Sequence, residues 1–459
     1  MGNILCITSG LTGILNASFE VVNRLQQAGH ECTVASPLAV EEKVRAQGLP
    51  FLQLKPVNFE PALDVPAYKG AIGKIKRLTH KFLHSKERRE EALKALGMDK
   101  FMNQMDEINP DLVLIDIELH EHLMSLVKSK YKVVLLSQWF STWKRKGLPP
   151  ILEDTIPGVS FKGSRLGLNL EWLKLDIRRW KIFLKKKLSS GWTDRRSILQ
   201  LYAKKIGFSK EYIPQNYWPG PFSYELLPVI SMTIQELDFS HDVRPNLQYV
   251  GAMVNANRKD VLSEAEASFE KLKKGGKRLI YCSVSTFKNG DLNFLRKLIE
   301  AVREHLEWNL IISLGGLIDK ANLGELPSNV NVFKRVNQLQ ILSIADLSIN
   351  HGGIHTINEC IHFNVPMLIY SGKRSDQNGC AARVHHHGIG IMADKDVDTS
   401  KDIAEKIEAI FSNQSIYSKL IDFCQINLQY KTTNKLEKLV ENLLNTNHAE
   451  LMQLEGRDS

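Results

Sequence analysis

At 459 residues, the chain is too long for one ordinary domain and long enough for two hydrophobic cores. Its hydrophobic fraction of 43% and charged fraction of 24% are those of a folded globular protein, which excludes overall disorder. No run approaches the roughly 20 apolar residues of a membrane-spanning helix, so we expect a cytoplasmic protein. The net charge of +9 comes with no nucleic-acid-binding motif, so nucleic acid is not an expected partner.

The first half of the chain alternates short apolar runs with a helical pattern. The run at 3–9 predicts a buried strand, the apolar spacing of 17–30 predicts a helix, and the run at 31–36 predicts a second strand. Strand, helix and strand in succession are typical of the right-handed crossover unit of a parallel sheet. Later apolar runs predict further strands of this sheet at 111–116, 132–137 and 227–232.

A second series of apolar runs follows, separated by amphipathic stretches such as 292–306. Its predicted strands lie at 278–284, 309–316, 329–335, 346–350 and 365–371. We therefore expect an α/β protein with two doubly wound, Rossmann-like domains that face each other across a cleft. The predicted units are an N-terminal domain over 1–232, a linker over 233–260, a C-terminal domain over 261–425, and a C-terminal helix with a polar tail over 426–459.

Small-residue turns follow several strands of the second series, most clearly in NHGGIHT at 350–356. Small residues let backbone N–H groups approach a ligand, and a helix that begins near Ile354 or His355 directs its positive N-terminus at an anion. The turn therefore predicts a diphosphate site. A tight strand-to-helix turn with no ligand is the alternative interpretation of this segment alone.

A longer segment, residues 335–392, resembles the donor-binding signature of the UDP-glycosyltransferase superfamily, the inverting enzymes of GT-B fold. In outline that signature is an aromatic residue, Pro-Gln, His-x-Gly-x-x-Ser-x-x-Glu, Pro and Asp-Gln. The residues that match it in order are Gln338, His351, Gly353, Thr356, Glu359, Pro366, Asp376 and Gln377. Ordered matches over this length are more specific than a lone glycine motif.

The resemblance implies a set of residues that contact a nucleotide sugar. This set is Thr286, Arg335, Val336, Gln338, His351, Gly353, His355, Thr356, Glu359, Asp376 and Gln377.

Within this set, the resemblance implies a role for each part of the signature. Val336 and Gln338 hold the uracil end, and Glu359 accepts from the ribose hydroxyls. His351 and Thr356 contact the diphosphate.

The remaining positions complete the donor site and include departures from the family pattern, one of which is Ser285 in place of the Gly before Thr286. Asp376 and Gln377 are expected to bind the sugar hydroxyls, and Thr286 to add a phosphate contact. Arg335 stands where the family has an aromatic ring, and a guanidinium can also stack on a base. Asn337 replaces the proline of the signature.

The N-terminal half should supply the catalytic base that takes the proton of the acceptor hydroxyl. The family uses a histidine in the loop after the first strand, but counting back from Gly29-His30 gives Ile14 at that position, and a register with a gap gives Leu11. Asp116 and Glu118 at the end of a predicted strand, or His120 and His122 just after it, are the candidate replacements. An acceptor acidic enough to need little help, or a protein that only binds its ligands, are the other interpretations.

The sequence thus predicts a metal-independent inverting hexosyltransferase that uses a UDP-sugar and a lipophilic acceptor and needs no further cofactor. An NAD-dependent enzyme is disfavoured because no G-x-G-x-x-G follows the first strand. Two basic stretches, 69–89 and 170–188, combine Lys and Arg with apolar residues at helical spacing. They predict either contact with an anionic membrane or a lid beside the acceptor pocket, unless they are ordinary solvated helices.

Overall fold

The computed structural model describes residues 1–57, 70–209, 212, 223–224, 226–259, 269, 276–283, 292–315 and 318–453. These residues form two parallel sheets, each flanked by helices. Within these residues, no helix combines the length and the apolar character needed to cross a membrane. The predicted α/β architecture with two doubly wound domains is confirmed.

The first sheet has the strand order β3-β2-β1-β4-β5-β6-β7, and neighbouring strands run parallel. Its strands are β1 (Asn3–Ile7), β2 (Glu31–Ser36), β3 (Phe51–Gln53), β4 (Leu112–Asp116), β5 (Val133–Ser137), β6 (Val229–Ser231) and β7 (Leu247–Tyr249). The reversal of strand order beside β1 is the topological switch point at which such sheets bind ligands. The side chains of β1 and β4 are almost wholly apolar and buried, as expected of strands covered on both faces.

Helices connect the strands of the first sheet. They are α1 (Thr12–Gln27), α2 (Glu41–Ala46), α3 (Gly70–Leu83), α4 (Ser85–Ala95), α5 (Met98–Ile108), α6 (His120–Val127), α7 (Arg165–Ser190) and α8 (Arg195–Lys205). Ser164 fixes the start of α7, because its side chain accepts a hydrogen bond from the backbone N–H of Gly167. Gly191 ends the same helix in the left-handed conformation, at φ 64°.

The second sheet has the strand order β10-β9-β8-β11-β12-β13 and is also parallel. Its strands are β8 (Arg278–Ser283), β9 (Trp308–Ser313), β10 (Val330–Phe333), β11 (Leu347–Asn350), β12 (Met367–Tyr370) and β13 (Gly390–Ala393). The helices that follow are α9 (Leu292–Arg303), α10 (Gln338–Leu342), α11 (Ile354–His362), α12 (Gln377–His386), α13 (Ser400–Ser412), α14 (Gln414–Thr432), α15 (Lys435–Asn445) and α16 (His448–Gln453).

Each predicted strand has an observed counterpart, but β3, β7 and β13 were not predicted. β3 (FLQ) and β7 (LQY) have three residues each with a glutamine among them, and three of the four residues of β13 are only partly buried. β7 lies inside the predicted linker over 233–260 and pairs with β6, so the first sheet continues past residue 232.

The chain connects the two domains twice, and the two connections touch. After β7, the backbone N–H of Ala252 donates to the side-chain oxygen of Asn427 on α14 at 2.7 Å. Gly251, with φ +85°, lies so close to Tyr430 that an added Cβ would come within 2.7 Å of that side chain. α15 then returns to the first domain, where Leu436 and Val440 join its buried core and Glu437 pairs with Arg24 at 2.8 Å.

Candidate functional site

A cavity of about 750 Å³ lies between the domains, at the carboxyl ends of both sheets. The first domain contributes the loop after β1, the start of α1 and the ends of β4 and β5. Its lining residues are Gly10, Leu11, Thr12, Gly13, Ile14, Asn16, Phe19, Lys43, Gln47, Glu118, Gln138 and Trp139. The size is that of an ordinary small-molecule site.

The second domain and the segment before it line the opposite side. Most of the donor-contact residues inferred from the signature are in this lining: Arg335, Val336, Gln338, His351, Gly353, His355, Thr356, Glu359, Asp376 and Gln377. Arg258, Lys259, Tyr281 and Arg374 also line it and were not in the predicted set. Thr286 lies outside the described residues.

The glycine turn after β11 brings α11 to the cavity. The Asn350 side chain accepts from the backbone N–H of Gly352 at 2.9 Å. Gly352 has φ +82°, and an added Cβ would lie 2.9 Å from the backbone oxygen of Gln377, so this position requires glycine. α11 begins at Ile354, as predicted, and its N-cap Gly353 has no capping side chain. The first N–H groups of the helix are therefore positioned to attract an anion.

One carboxylate already lies at that helix terminus. Asp376 is buried, and its carboxylate accepts hydrogen bonds from the backbone N–H of Ile354 and from the Cys380 thiol. Burial raises the pKa of Asp376.

The two histidines of the turn are uncharged at neutral pH. Burial lowers the pKa of His351 to about 4, and its Nδ1 atom has no hydrogen-bond partner. Burial and the nearby Arg258 lower the pKa of His355 to about 4 as well. The Nε2 atom of His355 lies 2.8 Å from Oε1 of Gln138, a residue of the first domain. His355 thus bridges the cleft, where an added Cβ on Gly13 would come within 2.5 Å of its ring.

Glu359 is the centre of a hydrogen-bonded group on the floor of the cavity. Its carboxylate accepts from the Gln338 side-chain amide and pairs with Arg258 at 2.9 Å. The Tyr281 hydroxyl donates to Gln338 at 3.3 Å. Arg258 belongs to no motif and lies in the predicted linker, so nothing in the sequence distinguishes it from its neighbour Lys259.

The two carboxylates after β4 have different surroundings. Asp116 is buried beneath the cavity, where its oxygens accept from the backbone N–H groups of Ser9 and Glu118 at 3.1 Å and 3.0 Å. Glu118 lines the cavity itself. Burial, with the nearby Asp116 and Asp376 carboxylates, raises the pKa of Glu118 to about 7, although Arg195 opposes the shift. Glu118 therefore titrates in the range that suits a general base.

The structure places both candidate histidines away from the cavity. His120 is wholly buried, and its Nδ1 atom lies 2.8 Å from the Tyr224 hydroxyl. His122 is also buried and meets the edge of the Phe101 ring, and burial lowers its pKa to about 4. All eight residues of α6 are buried, so both histidines lie in the interior. This placement contradicts the hypothesis that either histidine takes the acceptor proton.

The second domain matches a known family by sequence. Residues 298–422 match the family described as Erythromycin biosynthesis protein CIII-like, C-terminal domain. The NDP-glycosyltransferase YjiC of Bacillus subtilis (strain 168) is 31% identical over 147 residues, which are 32% of this chain and 37% of the relative. The first relatives of this kind are matched over 34% to 41% of their own lengths.

Other comparisons extend over both domains. The Oleandomycin glycosyltransferase of Streptomyces antibioticus is 23% identical over 443 residues, which are 95% of this chain and 89% of the relative. The crystal structure of the glycosyltransferase of kitacinnamycin superposes with a TM-score of 0.69 at 18% identity, over 96% of this chain and 99% of that chain. The superposition shows a shared GT-B fold. Both of these matches are to glycosyltransferases, and the signature residues of this chain are gathered on one cavity wall.

Proposed function

We propose that the protein is an inverting glycosyltransferase that moves a hexose from a UDP-sugar to a hydroxyl group of a lipophilic small molecule. The observation that carries the proposal is one cavity that has the donor signature on one wall and Glu118, with a pKa of about 7, on the other. The names of the matched relatives, an NDP-glycosyltransferase and an oleandomycin glycosyltransferase, support this class of reaction.

The nucleotide end of the donor would lie along the second domain. Gln338 and Val336 would contact the base, and Arg335 offers a planar cation that can stack on it. Glu359, held by Gln338 and Arg258, would accept from the ribose hydroxyls. A carboxylate that accepts from vicinal hydroxyls favours ribose over deoxyribose.

The diphosphate would lie at the start of α11, beside the Asp376 carboxylate that accepts from the Ile354 N–H. The first-turn N–H groups carry the positive end of the helix dipole, and Arg258 adds a full charge nearby. His351 is neutral, so it acts as a hydrogen-bond donor rather than a cation. These groups would stabilise the negative charge that grows on the leaving diphosphate.

The acceptor would occupy the side of the cavity formed by the first domain. Leu11 offers an exposed apolar side chain on this side, with Ile14, Phe19 and Trp139 buried behind it, and this composition suits a lipophilic molecule. Ile14 fills the position of the usual histidine with a side chain that cannot accept a proton.

Glu118 would act as the base in a single displacement. Its carboxylate takes the proton of the acceptor hydroxyl while the acceptor oxygen forms a bond to the anomeric carbon. The bond from that carbon to the diphosphate oxygen breaks, and UDP leaves with the electron pair. Asp116 is a positioning residue, because it holds the backbone of Ser9 and Glu118 and raises the pKa of Glu118.

The test combines ligand binding with turnover. Calorimetry should show that UDP binds the wild type and binds His351→Ala at least about tenfold more weakly, because a diphosphate contact is lost. Turnover of UDP-hexoses with a panel of phenols, alcohols and carotenoid or macrolide alcohols should be lost in Glu118→Gln. Glu300→Gln, on the exposed surface of α9, is the matched control.

A second candidate function is a binding protein that holds a nucleotide sugar without turnover, and Ile14 is the observation that favours it. Tight UDP binding with no transfer to any acceptor would support this function. Unchanged UDP binding by His351→Ala would overturn the donor site itself.

A further inference from the structure

The long helix α7 carries an exposed row of apolar side chains along its whole length. The row begins at Leu166 and continues through Leu170, Leu173, Ile177, Trp180, Leu184 and Leu188, at intervals of three or four residues. Such spacing keeps every member on one face of a helix. We call this row the apolar stripe. Trp180 is 61% exposed and Leu173 is 54% exposed, so the stripe faces solvent rather than the core.

The core-facing side of α7 is a different one. Leu168, Trp172 and Leu175 are buried, and they lie on the face opposite the apolar stripe. Trp172 fixes this face by donating to the backbone oxygen of Leu148 at 2.7 Å. The stripe therefore cannot be explained as the inner face of the helix.

Cations border the apolar stripe. α7 has eight Lys and Arg residues and two carboxylates, and the neighbouring α3 has four Lys and Arg residues and no carboxylate. The combined net charge of these two helices is therefore more positive than the net charge of +9 of the whole chain. The charge of the protein is thus concentrated where its apolar side chains are exposed.

α3 lies against α7 and extends the same surface. Lys81 donates to the backbone oxygen of Ser189 at 3.0 Å, and the Phe82 ring meets the edge of Trp192. Ile72 and Ile75 on α3 are about two-thirds exposed or more.

We propose that the apolar stripe of α7, with α3 beside it, docks on an anionic lipid bilayer. An interfacial helix buries an apolar face in the lipid while lysines and arginines beside it bind lipid phosphates, and the stripe has both features. The stripe spans about 33 Å, because each helical residue rises about 1.5 Å. A second copy of this chain fits the surface poorly, since the same positive excess on both partners would repel.

The surface is connected to the cleft. Leu148, which accepts the hydrogen bond from Trp172, lies on a segment that continues to Ile151. The backbone oxygen of Ile151 accepts a hydrogen bond from the N–H of Gly379, on α12, at 3.0 Å. α12 begins with Gln377, a residue of the cavity lining. Docking would therefore place the cleft near the membrane surface, where a lipophilic acceptor is concentrated. Only this last consequence rests on the proposed transfer reaction.

The experiment uses the full chain and vesicle flotation at low and high salt. Vesicles of phosphatidylcholine alone are compared with vesicles of phosphatidylcholine and phosphatidylglycerol in equal parts. We expect binding to the anionic vesicles, weaker binding to the neutral ones, and a loss of affinity as salt rises. The triple variant Leu173→Gln/Ile177→Gln/Trp180→Gln should bind at least about tenfold more weakly, because apolar area no longer enters the lipid.

Matched controls keep the test specific. Leu306→Gln and Val397→Gln remove exposed apolar side chains from the second domain and should leave vesicle binding unchanged. Lys181→Glu/Lys185→Glu, which changes two lysines beside the stripe, should lose binding to anionic vesicles, whereas Lys401→Glu should keep it. The proposal is overturned if the wild type ignores anionic vesicles, or if the triple variant binds them as well as the wild type does. It is equally overturned if light scattering shows a dimer that the triple variant abolishes while vesicle binding is absent.

Discussion

Arg258 pairs with Glu359 across 2.9 Å, which joins the segment before the second domain to the carboxylate that the signature assigns to ribose. The pair is largely buried, so neither charge is screened by much solvent. Arg258 fixes the carboxylate in one orientation and leaves Glu359 ready to accept from a diol.

Glu359 should therefore determine the preference for ribose. The wild type is expected to bind UDP about tenfold more tightly than 2′-deoxy-UDP, because hydrogen bonds to a charged acceptor are the stronger ones. Glu359→Gln should lose most of this preference while it retains binding of both nucleotides. Isothermal titration calorimetry with the two ligands measures the ratio, and an unchanged ratio would remove Glu359 from the ribose site.

Glu118 should control the pH dependence of transfer. Its pKa is raised to about 7, and a base must be ionised, so kcat/KM should rise with pH through about 7 and level off above it. Glu118→Gln should reduce kcat by at least about 100-fold and abolish this acidic limb. Steady-state rates across the pH range provide the measurement. A limb that persists in Glu118→Gln would belong to another group.

Asp116 should act through Glu118 rather than on the substrate. Its negative charge disfavours ionisation of Glu118, so Asp116→Asn should lower the pKa of Glu118 and move the acidic limb to lower pH. A purely structural role would change the amplitude of the profile but not its midpoint. Thermal melts of the variant control for loss of the backbone hydrogen bonds to Ser9 and Glu118.

Arg383 and Asp238 should be essential for stability. Arg383 is wholly buried, donates to Asp238 at 2.7 Å, and lies between the rings of Phe140 and Phe239. Arg383→Met leaves an uncompensated buried carboxylate and should cost about 3–5 kcal/mol in the free energy of unfolding.

Urea unfolding monitored by circular dichroism measures this cost. Arg303→Met, which removes an exposed partner of Glu300, is the control and should change the free energy of unfolding by less than about 1 kcal/mol. A similar effect of both variants would contradict the role given to the buried pair.

The cavity wall formed by the second domain could be predicted from sequence because its residues are close together along the chain. From Arg335 to Gln377, strand ends and helix starts follow one another, so their order in sequence is their order around the site. Arg258 was missed because it approaches Glu359 from a distant segment without a pattern. The position of Arg258 beside Glu359 depends on the path that the chain takes from the first domain to the second.

The catalytic side was harder for a different reason. Asp116, Glu118, His120 and His122 are neighbours in sequence, and their spacing does not say which of them faces the cleft. That depends on tertiary packing, which buries the whole of α6 with both histidines and leaves Glu118 at the cavity.

The contact between the two interdomain connections has a mechanical consequence. Ala252 and Gly251 of the first connection touch Asn427 and Tyr430 just before the second, so both crossings lie at one place. Two domains joined at a single place can rotate about it as a hinge, but they have little freedom to slide past each other. Any opening of the cleft would then move the surfaces next to Gly251 least and would separate groups that meet across the cleft, such as His355 and Gln138.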